Sequence, residues 1–543
     1  MKRNLLLSSL LLVAGLTSTA FAQEPVDAAM NAKIREEGLN HSQVMDIAFN
    51  MTDVLGPRLT NSPGLKRAQE WAVSRLLSYG LVNAKRESWG QKFGKGWEVQ
   101  KNYAAITVPY YHAIIAIPKA WTAGTNGPIR GEVVLVKADT ITDLEKYKGK
   151  LAGKIVIMEA AGLAPERAIR ADMARYSDGR LDTMNKEAFA PPRAFGGGAG
   201  APGGRRGAAG GQGGNPAMMA AMRAQRMRPI IANFLKSQNV AVILSQGRGS
   251  DGTVFTTNGA SYRDTAQIAG AELETSTEDY QRILRLVRAG HSVQMEADIK
   301  TQFFTDELEG YNVVAEIPGT DKKLKEQIVM VGGHYDSWHA GTGATDNAAG
   351  SAVMMEAVRI LKAIGYKPKR TIRIALWSGE EQGLFGSRYY VANHFADRAD
   401  MKLKPEHSKL SAYYNLDNGT GKIRGIYLQG DTATRPIFQA WLAPFKDIGA
   451  WAVNANNTGG TDHQSYDGVG LPGFQFIQDG MDYNTRTHHS NQDTYDRLVE
   501  ADLKQAATIV ASFVYHTSER KDMIPRKALP TPPPAQAAGG MGR

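Results

Sequence analysis

The sequence has no cysteine among its 543 residues. That excludes disulfide staples, thiolate metal sites and cysteine nucleophiles. Long apolar runs are also missing. Beyond the first 16 residues, no stretch approaches the roughly 18 that a membrane span needs. Aromatic residues are 8%, charged residues 22% and hydrophobic residues 42%, the proportions of a soluble globular chain rather than a collagenous or wholly disordered one. At about 150 residues per domain, this length predicts two to four domains, with a core large enough to need no staple.

Acidic residues are absent from one segment. Residues 193–228 carry six arginines and no Asp or Glu, and eleven of the nineteen residues from Gly196 to Gly214 are glycine. The formal net charge of +10 is therefore local. Without this segment and without Lys2 and Arg3, the chain carries only +2, so no nucleic-acid partner is expected. The segment is too poor in apolar surface to offset its ordering entropy and reads as a flexible loop.

What is present at the start is a charged pair, Lys2 and Arg3, an apolar run from Leu5 to Leu16, and Ala20-Phe21-Ala22 before Gln23. This order of regions predicts a secretory signal over 1–22. The expectation is a secreted or periplasmic protein without a transmembrane anchor. With no cysteine after the run, no lipid anchor is expected either.

Hydrophobic spacing predicts helices over 42–55 and 62–81, separated by the breaker Gly56-Pro57-Arg58. From about residue 127 short strands dominate, at 131–137, 154–158 and 239–244. Beyond Asn312 strands and helices alternate. Strands are expected at 328–332, 371–377, 411–416 and 473–477, and helices at 348–364, 383–395, 437–445 and 501–516. Such alternation predicts an α/β fold, a doubly wound mixed sheet covered on both faces. The expected domains are the N-terminal part of a catalytic domain over 23–127, a β-rich insert over 128–300 with a Gly/Arg-rich excursion at 160–229, and the main catalytic domain over 301–520. A disordered proline-rich tail is expected over 521–543.

In open α/β sheets ligands gather at the carboxyl ends of the strands. The first of these strands ends in Gly333-His334-Tyr335-Asp336, with Asp346 ten residues on. The next ends in Ser378-Gly379-Glu380-Glu381, the third in Asn415-Leu416-Asp417, and the last is followed by His488-His489-Ser490. Imidazole and carboxylate without thiolate suit zinc, with manganese or cobalt as options. Two histidines, two terminal carboxylates and a shared one would hold a pair of metals that acidify a water and polarise a carbonyl. Of the adjacent Glu380 and Glu381, one can face a metal and the other the water as general base. Asp336 can accept the second N–H of His334. Singly, each residue reads as a helix cap or a solvated face. Their recurrence at four successive strand ends does not. Gly247-Arg-Gly-Ser-Asp-Gly252 lacks the lysine and helix of a phosphate loop and reads as a turn.

The segments His334-Tyr-Asp336-Ser, Thr345-Asp346-Asn347-Ala-Ala-Gly350, Ser378-Gly-Glu380-Glu381-Gln-Gly-Leu-Phe-Gly-Ser387 and Asp417 resemble metallopeptidase family 28, the co-catalytic zinc exopeptidases. Gly56-Pro-Arg-Leu-Thr-Asn-Ser62 extends the likeness. Asp336-Ser-Trp338, Gly460-Thr-Asp462 and His488-His489-Ser490 resemble the family's glutamate carboxypeptidase branch. The resemblance implies two Zn2+ per chain, one held by His334 and Asp417 and the other by Glu381 and His489, with Asp346 between them. It implies Glu380 as base and Asp336 as the group orienting His334, and a protease-associated domain in the β-rich region. Several members carry a tyrosine just before the last histidine ligand, where this chain has His488. That residue either polarises the carbonyl or packs. Asp462 and His463 either shape the substrate pocket or are ordinary loop residues.

The expected activity is hydrolysis of short peptides or dipeptides, of aminopeptidase or dipeptidase type. The alternatives are a carboxypeptidase, a glutaminyl cyclase-like acyltransferase with one zinc, or an inactive binding protein. The partner expected is a small peptide, and a homodimer is left open.

Overall fold

The computed structural model describes residues 24–159, 172–190, 226–227 and 230–533. The expected signal and the glycine-rich run lie outside the described residues. Two eight-stranded mixed sheets organise the chain.

In spatial order the first sheet runs Val82–Lys92, Glu309–Ile317, Thr371–Trp377, Ile328–His334, Leu410–Asn415, Gly473–Gln478, Ile423–Tyr427 and Ala452–Asn454. Its four central strands, 371–377, 328–334, 410–415 and 473–478, are parallel neighbours. All four therefore end at the same edge. The strand 328–334 is buried along its whole length, as expected of a parallel strand covered on both sides. Val329 and Val331 pack with helices Ala28–Asn40, Pro63–Ser78, Ala349–Ala363 and Glu500–Glu519 on one face. Met330, one residue out of phase, packs with Trp377, Tyr390 and Tyr466 on the other. The period of two thus supplies two apolar faces.

The second sheet runs His112–Ala113, Gly96–Val108, Gln294–Phe304, Ile129–Val136, Ile155–Met158, Val242–Gln246, Glu272–Thr275 and Ala116–Pro118, with helix Thr277–Arg288 packed into its core. It begins at residue 96, not 128. The strand 96–108, read from sequence as part of the catalytic segment, pairs along its length with 294–304. An aromatic cluster of Trp89, Phe93, Trp97, Trp121 and Trp338 seals the two sheets together.

Two further expectations change. Within the expected excursion, helix Asp178–Lys186 buries Leu181 and Met184 against Ala452 and Ile477 of the first sheet. The arginine-rich composition nearby hides this short amphipathic stretch. Residues 523–527, inside the expected disordered tail, are packed. Ile524 is buried and Arg526 donates to the carbonyl of His407 at 3.0 Å, contacts that a proline-rich composition does not foretell.

Candidate metal centre

The four parallel strand ends converge on Asp346. Its Oδ1 lies 3.2 Å from Nε2 of His334, and its Oδ2 lies 3.3 Å from Nε2 of His489. One carboxylate thus faces two imidazoles through different oxygens. On the first side, Asp417 Oδ1 is 3.3 Å from the same His334 nitrogen. On the second, Glu381 Oε2 is 2.8 Å from the His489 nitrogen. Glu380, Asp336 and Asp462 are buried beside them.

Six carboxylates gather here around two imidazoles, and their charge is uncompensated. Burial, together with Asp417, Asp462 and Glu381, pushes Glu380 well above the usual carboxylate range. Burial and Asp346 do the same to Glu381. Burial opposes protonation of His334, but Asp417 and Glu380 raise its pKa well above the ordinary value. Asp346 Oδ2 and Glu381 Oε1 accept no hydrogen bond although both are buried. Buried, orphaned carboxylate oxygens beside imidazole nitrogens are the donor set that borderline-to-hard divalent cations bind. Two groups of these residues, His334 with Asp346 and Asp417, and Asp346 with His488 and His489, bring three possible ligand atoms each within 4.8 Å of one another and fit bound divalent metal.

Local structure explains the convergence. Asp346 stands in a turn that a second carboxylate holds. Asp493 accepts the amides of Thr345 at 2.6 Å and Asp346 at 3.2 Å. The Asn347 side chain bridges the Leu416 carbonyl and the Gly350 amide, each at 2.9 Å. A Cβ at Gly350 would sit 2.2 Å from the Leu416 carbonyl oxygen, so only glycine lets the helix start this close to the neighbouring strand end. Arg58 is fully buried and donates to the carbonyls of Met51, Tyr335, Thr342 and Gly343. It ties the loops on both sides of Asp346 to the N-terminal segment.

His489 adopts a left-handed backbone, φ 61°, uncommon outside glycine. Its carbonyl accepts the Thr256 amide at 2.7 Å and the Thr256 hydroxyl at 3.1 Å. The second sheet therefore holds this histidine in place. His488 stacks on His489 at 3.8 Å and on Tyr483 at 4.7 Å.

The Peptidase family M28 model matches residues 312–514. Carboxypeptidase Q of Rattus norvegicus is 26% identical over 477 residues, covering 88% of this chain and 85% of the relative. A crystal structure of a peptidase M28 precursor from Shewanella amazonensis superposes with a TM-score of 0.62 at 23% identity, covering 93% of this chain and 98% of that one. A zinc aminopeptidase from Bacillus subtilis shares the fold at TM-score 0.51 and 17% identity, covering 88% and 95%.

Residues 312–514 are similar to peptidase family M28. The chain is a metallo-exopeptidase, close to carboxypeptidase Q.

Within this site one contact differs from expectation. Nδ1 of His334 meets the backbone carbonyl of Asp336 at 3.0 Å, while the carboxylate Oδ1 stands 3.6 Å away. The Asp336 carboxylate accepts instead the Thr60 hydroxyl at 2.8 Å and the amides of Glu380 and Glu381 at 3.3 and 3.4 Å. It organises the Glu-Glu turn. Asp462 is fully buried and neither of its oxygens accepts a hydrogen bond of ordinary geometry. Burial pushes it up to about 7, against the pull of His334 and the Ser387 hydroxyl. His463, beside it, is buried and bonds Gln429 and the Thr458 carbonyl.

Sequence reasoning missed Asp493, Tyr483 and the positioning role of Arg58. Tyr483 is buried, and its phenol is raised by burial and by Asp346, Asp417 and Glu381, so it faces the same carboxylates. Asp493 lies four residues after His489 and could have been singled out. Tyr483 carries no local signal, because only the return of the loop brings it to Asp346.

Proposed function

We propose that this peptidase is a secreted, zinc-dependent exopeptidase with two zinc ions per chain, cleaving short peptides or dipeptides from the amino end. The observation that carries the reading is Asp346, whose two oxygens face His334 and His489 separately. His334 and Asp417 would hold one ion, Glu381 and His489 the other, and Asp346 would serve both. Bound there, the ions supply Lewis acidity to the scissile carbonyl and acidify a water.

The remaining chemistry belongs to side chains. Glu380 takes a proton from the attacking water and returns it to the amine nitrogen as the C–N bond breaks. Asp336, through the amides of Glu380 and Glu381, fixes where that carboxylate points. His488 is kept neutral by burial, its pKa brought down to about 4, so its imidazole can donate a hydrogen bond to the substrate carbonyl oxygen. Asp462 shapes the pocket floor beside Asp417. Residues 1–22 would act as the export signal, and the second sheet as a protease-associated domain. No helix of the described residues is long and apolar enough to cross a membrane.

The name of the rat relative favours a second reading, cleavage from the carboxyl end. The zinc aminopeptidase shares only the fold and does not decide between them. The catalytic assignment is tested by Glu380→Ala. The expected outcome is unchanged zinc content with turnover reduced by about 10³-fold or more, at the scale of a lost general base. Full activity in this variant would overturn the role of Glu380.

A further inference from the structure

Strands Ile155–Met158 and Val242–Gln246 are parallel neighbours in the second sheet. A parallel pair needs a crossover of about a dozen residues, yet the chain between these two runs from 159 to 241. Part of the surplus leaves the second sheet. Residues 172–190 reach the first sheet and hold it at two places. The first is an anchor on its edge. Leu181 and Met184 pack on Ala452 and Ile477, and the Asn185 side chain accepts the Val453 amide at 3.0 Å. Asn454 donates to the Met184 carbonyl at 2.8 Å and to Glu187 at 2.9 Å.

The second place is the loop 479–487, which leaves strand Gly473–Gln478 and ends on His488 and His489. Four of its residues are gripped. Asp479 is fully buried. Its Oδ2 accepts the Arg175 guanidinium at 3.0 Å and its Oδ1 the Tyr176 amide at 2.8 Å. Met481 and Ala174 exchange both backbone hydrogen bonds, at 2.8 and 3.1 Å. The Thr485 hydroxyl donates to the Asp172 carbonyl at 2.7 Å, and Arg486 meets both oxygens of the Asp172 carboxylate at 3.2 and 3.1 Å. Arg175 also lies 2.7 Å from Asp502, so its one charge serves two buried carboxylates. The loop needs such support. Met481 has φ 45° and His489 φ 61°, a left-handed backbone that residues other than glycine keep only where the surroundings fix it. Thr256 holds His489 itself from the second sheet. Residues 172–190 hold the run that leads to it.

We infer that residues 172–190 form a clasp that sets the position of His489, with Arg175 and Asp172 as its positioning residues. The inference rests on the two-metal reading above and goes beyond it. Neither residue touches the metal centre. Arg175 acts through Asp479, and Asp172 through Thr485 and Arg486. Among the described residues, the clasp's hydrogen bonds and ion pairs reach the loop before His489 and not the strand ends that carry His334, Glu381 and Asp417. The dependence is therefore one-sided. The ion facing His489 leans on the clasp, and the ion facing His334 and Asp417 does not.

The test is calorimetric titration of zinc into metal-free full-length protein, with kcat and KM then measured on a dipeptide. In Arg175→Gln and in Asp172→Ala, one of the two zinc ions is expected to bind about 10-fold more weakly while the other binds as before. That is the scale of losing an outer support of a metal ligand. kcat is expected to fall by a similar factor at unchanged KM, and Arg175→Lys is expected to recover part of both. The Asp172 side chain is 62% exposed, so its variant keeps the fold and carries the test even where Arg175→Gln does not. Unchanged zinc affinity and kcat in Asp172→Ala overturn the clasp and leave the peptidase reading standing. Equal weakening of both ions does the same, because it marks a general loss of structure. A wild type that binds a single zinc overturns the two-metal reading and the clasp with it.

Discussion

The Thr60 hydroxyl reaches Asp336 Oδ2 at 2.8 Å, and the same carboxylate takes the amides of Glu380 and Glu381. A residue 276 positions away in sequence from Asp336 thus helps set the angle of Glu380, the proposed base. Thr60→Val nearly conserves volume but removes the only hydroxyl donor to that oxygen among the described residues. It is expected to cost about 1–3 kcal/mol in urea unfolding, the worth of a buried hydrogen bond to a carboxylate, and to lower kcat while zinc content stays the same. Unchanged stability and unchanged kcat would contradict the role. At this scale the candidate ligands were legible, because His, Asp and Glu stand at fixed offsets from apolar strands. Their supports were not. Arg58, Thr60 and Asp493 act through backbone groups or distant carboxylates, and no local pattern announces such contacts.

Helix Phe385–His394 follows the Glu-Glu turn and is fastened at its far end by His394. That imidazole lies 2.6 Å from Glu87 on the edge strand and 3.5 Å from Glu406, stacks on Tyr390, and shares Glu406 with Arg373. Lys85 pairs with Glu87 from the same edge strand. Burial works against its protonation, but Glu406 and Glu87 outweigh it and raise His394 to about 9. A raised histidine stabilises the fold below its unfolded pKa, near 6.5, and loses that contribution as pH rises through about 9. Stability is therefore expected to fall between pH 6.5 and 9.5, by about 1 kcal/mol after allowing for partial exposure. Urea midpoints across this window check it, and His394→Gln should flatten the decline. An identical slope in the variant would contradict the assignment. Elements with strong periodicity, such as 349–363 and 371–377, fall within two residues of the sequence reading. The edge strand 82–92 was not legible, because it is largely exposed and rich in charge. Its pairing with 309–317 is a long-range choice that composition does not encode.

At the scale of the molecule, the second sheet supplies more than a cover. It holds the His489 carbonyl through the amide and hydroxyl of Thr256. Sequence periodicity showed a β-rich region but placed its start about thirty residues late, since strand 96–108 becomes part of the second sheet only by pairing with 294–304. The docking of helix 178–186 onto the first sheet was hidden for the same reason. Each is a contact between segments far apart in the chain.

The central claim is a two-metal centre organised around Asp346. The most direct test is calorimetric titration of zinc into metal-free protein, with the metal content of the product measured by mass spectrometry. The account predicts two equivalents per chain in the wild type, and weakened binding of both in Asp346→Ala, because each ion would lose one of the two Asp346 oxygens. A single equivalent in the wild type, or an Asp346→Ala protein that still binds two zinc ions with unchanged affinity, would contradict it.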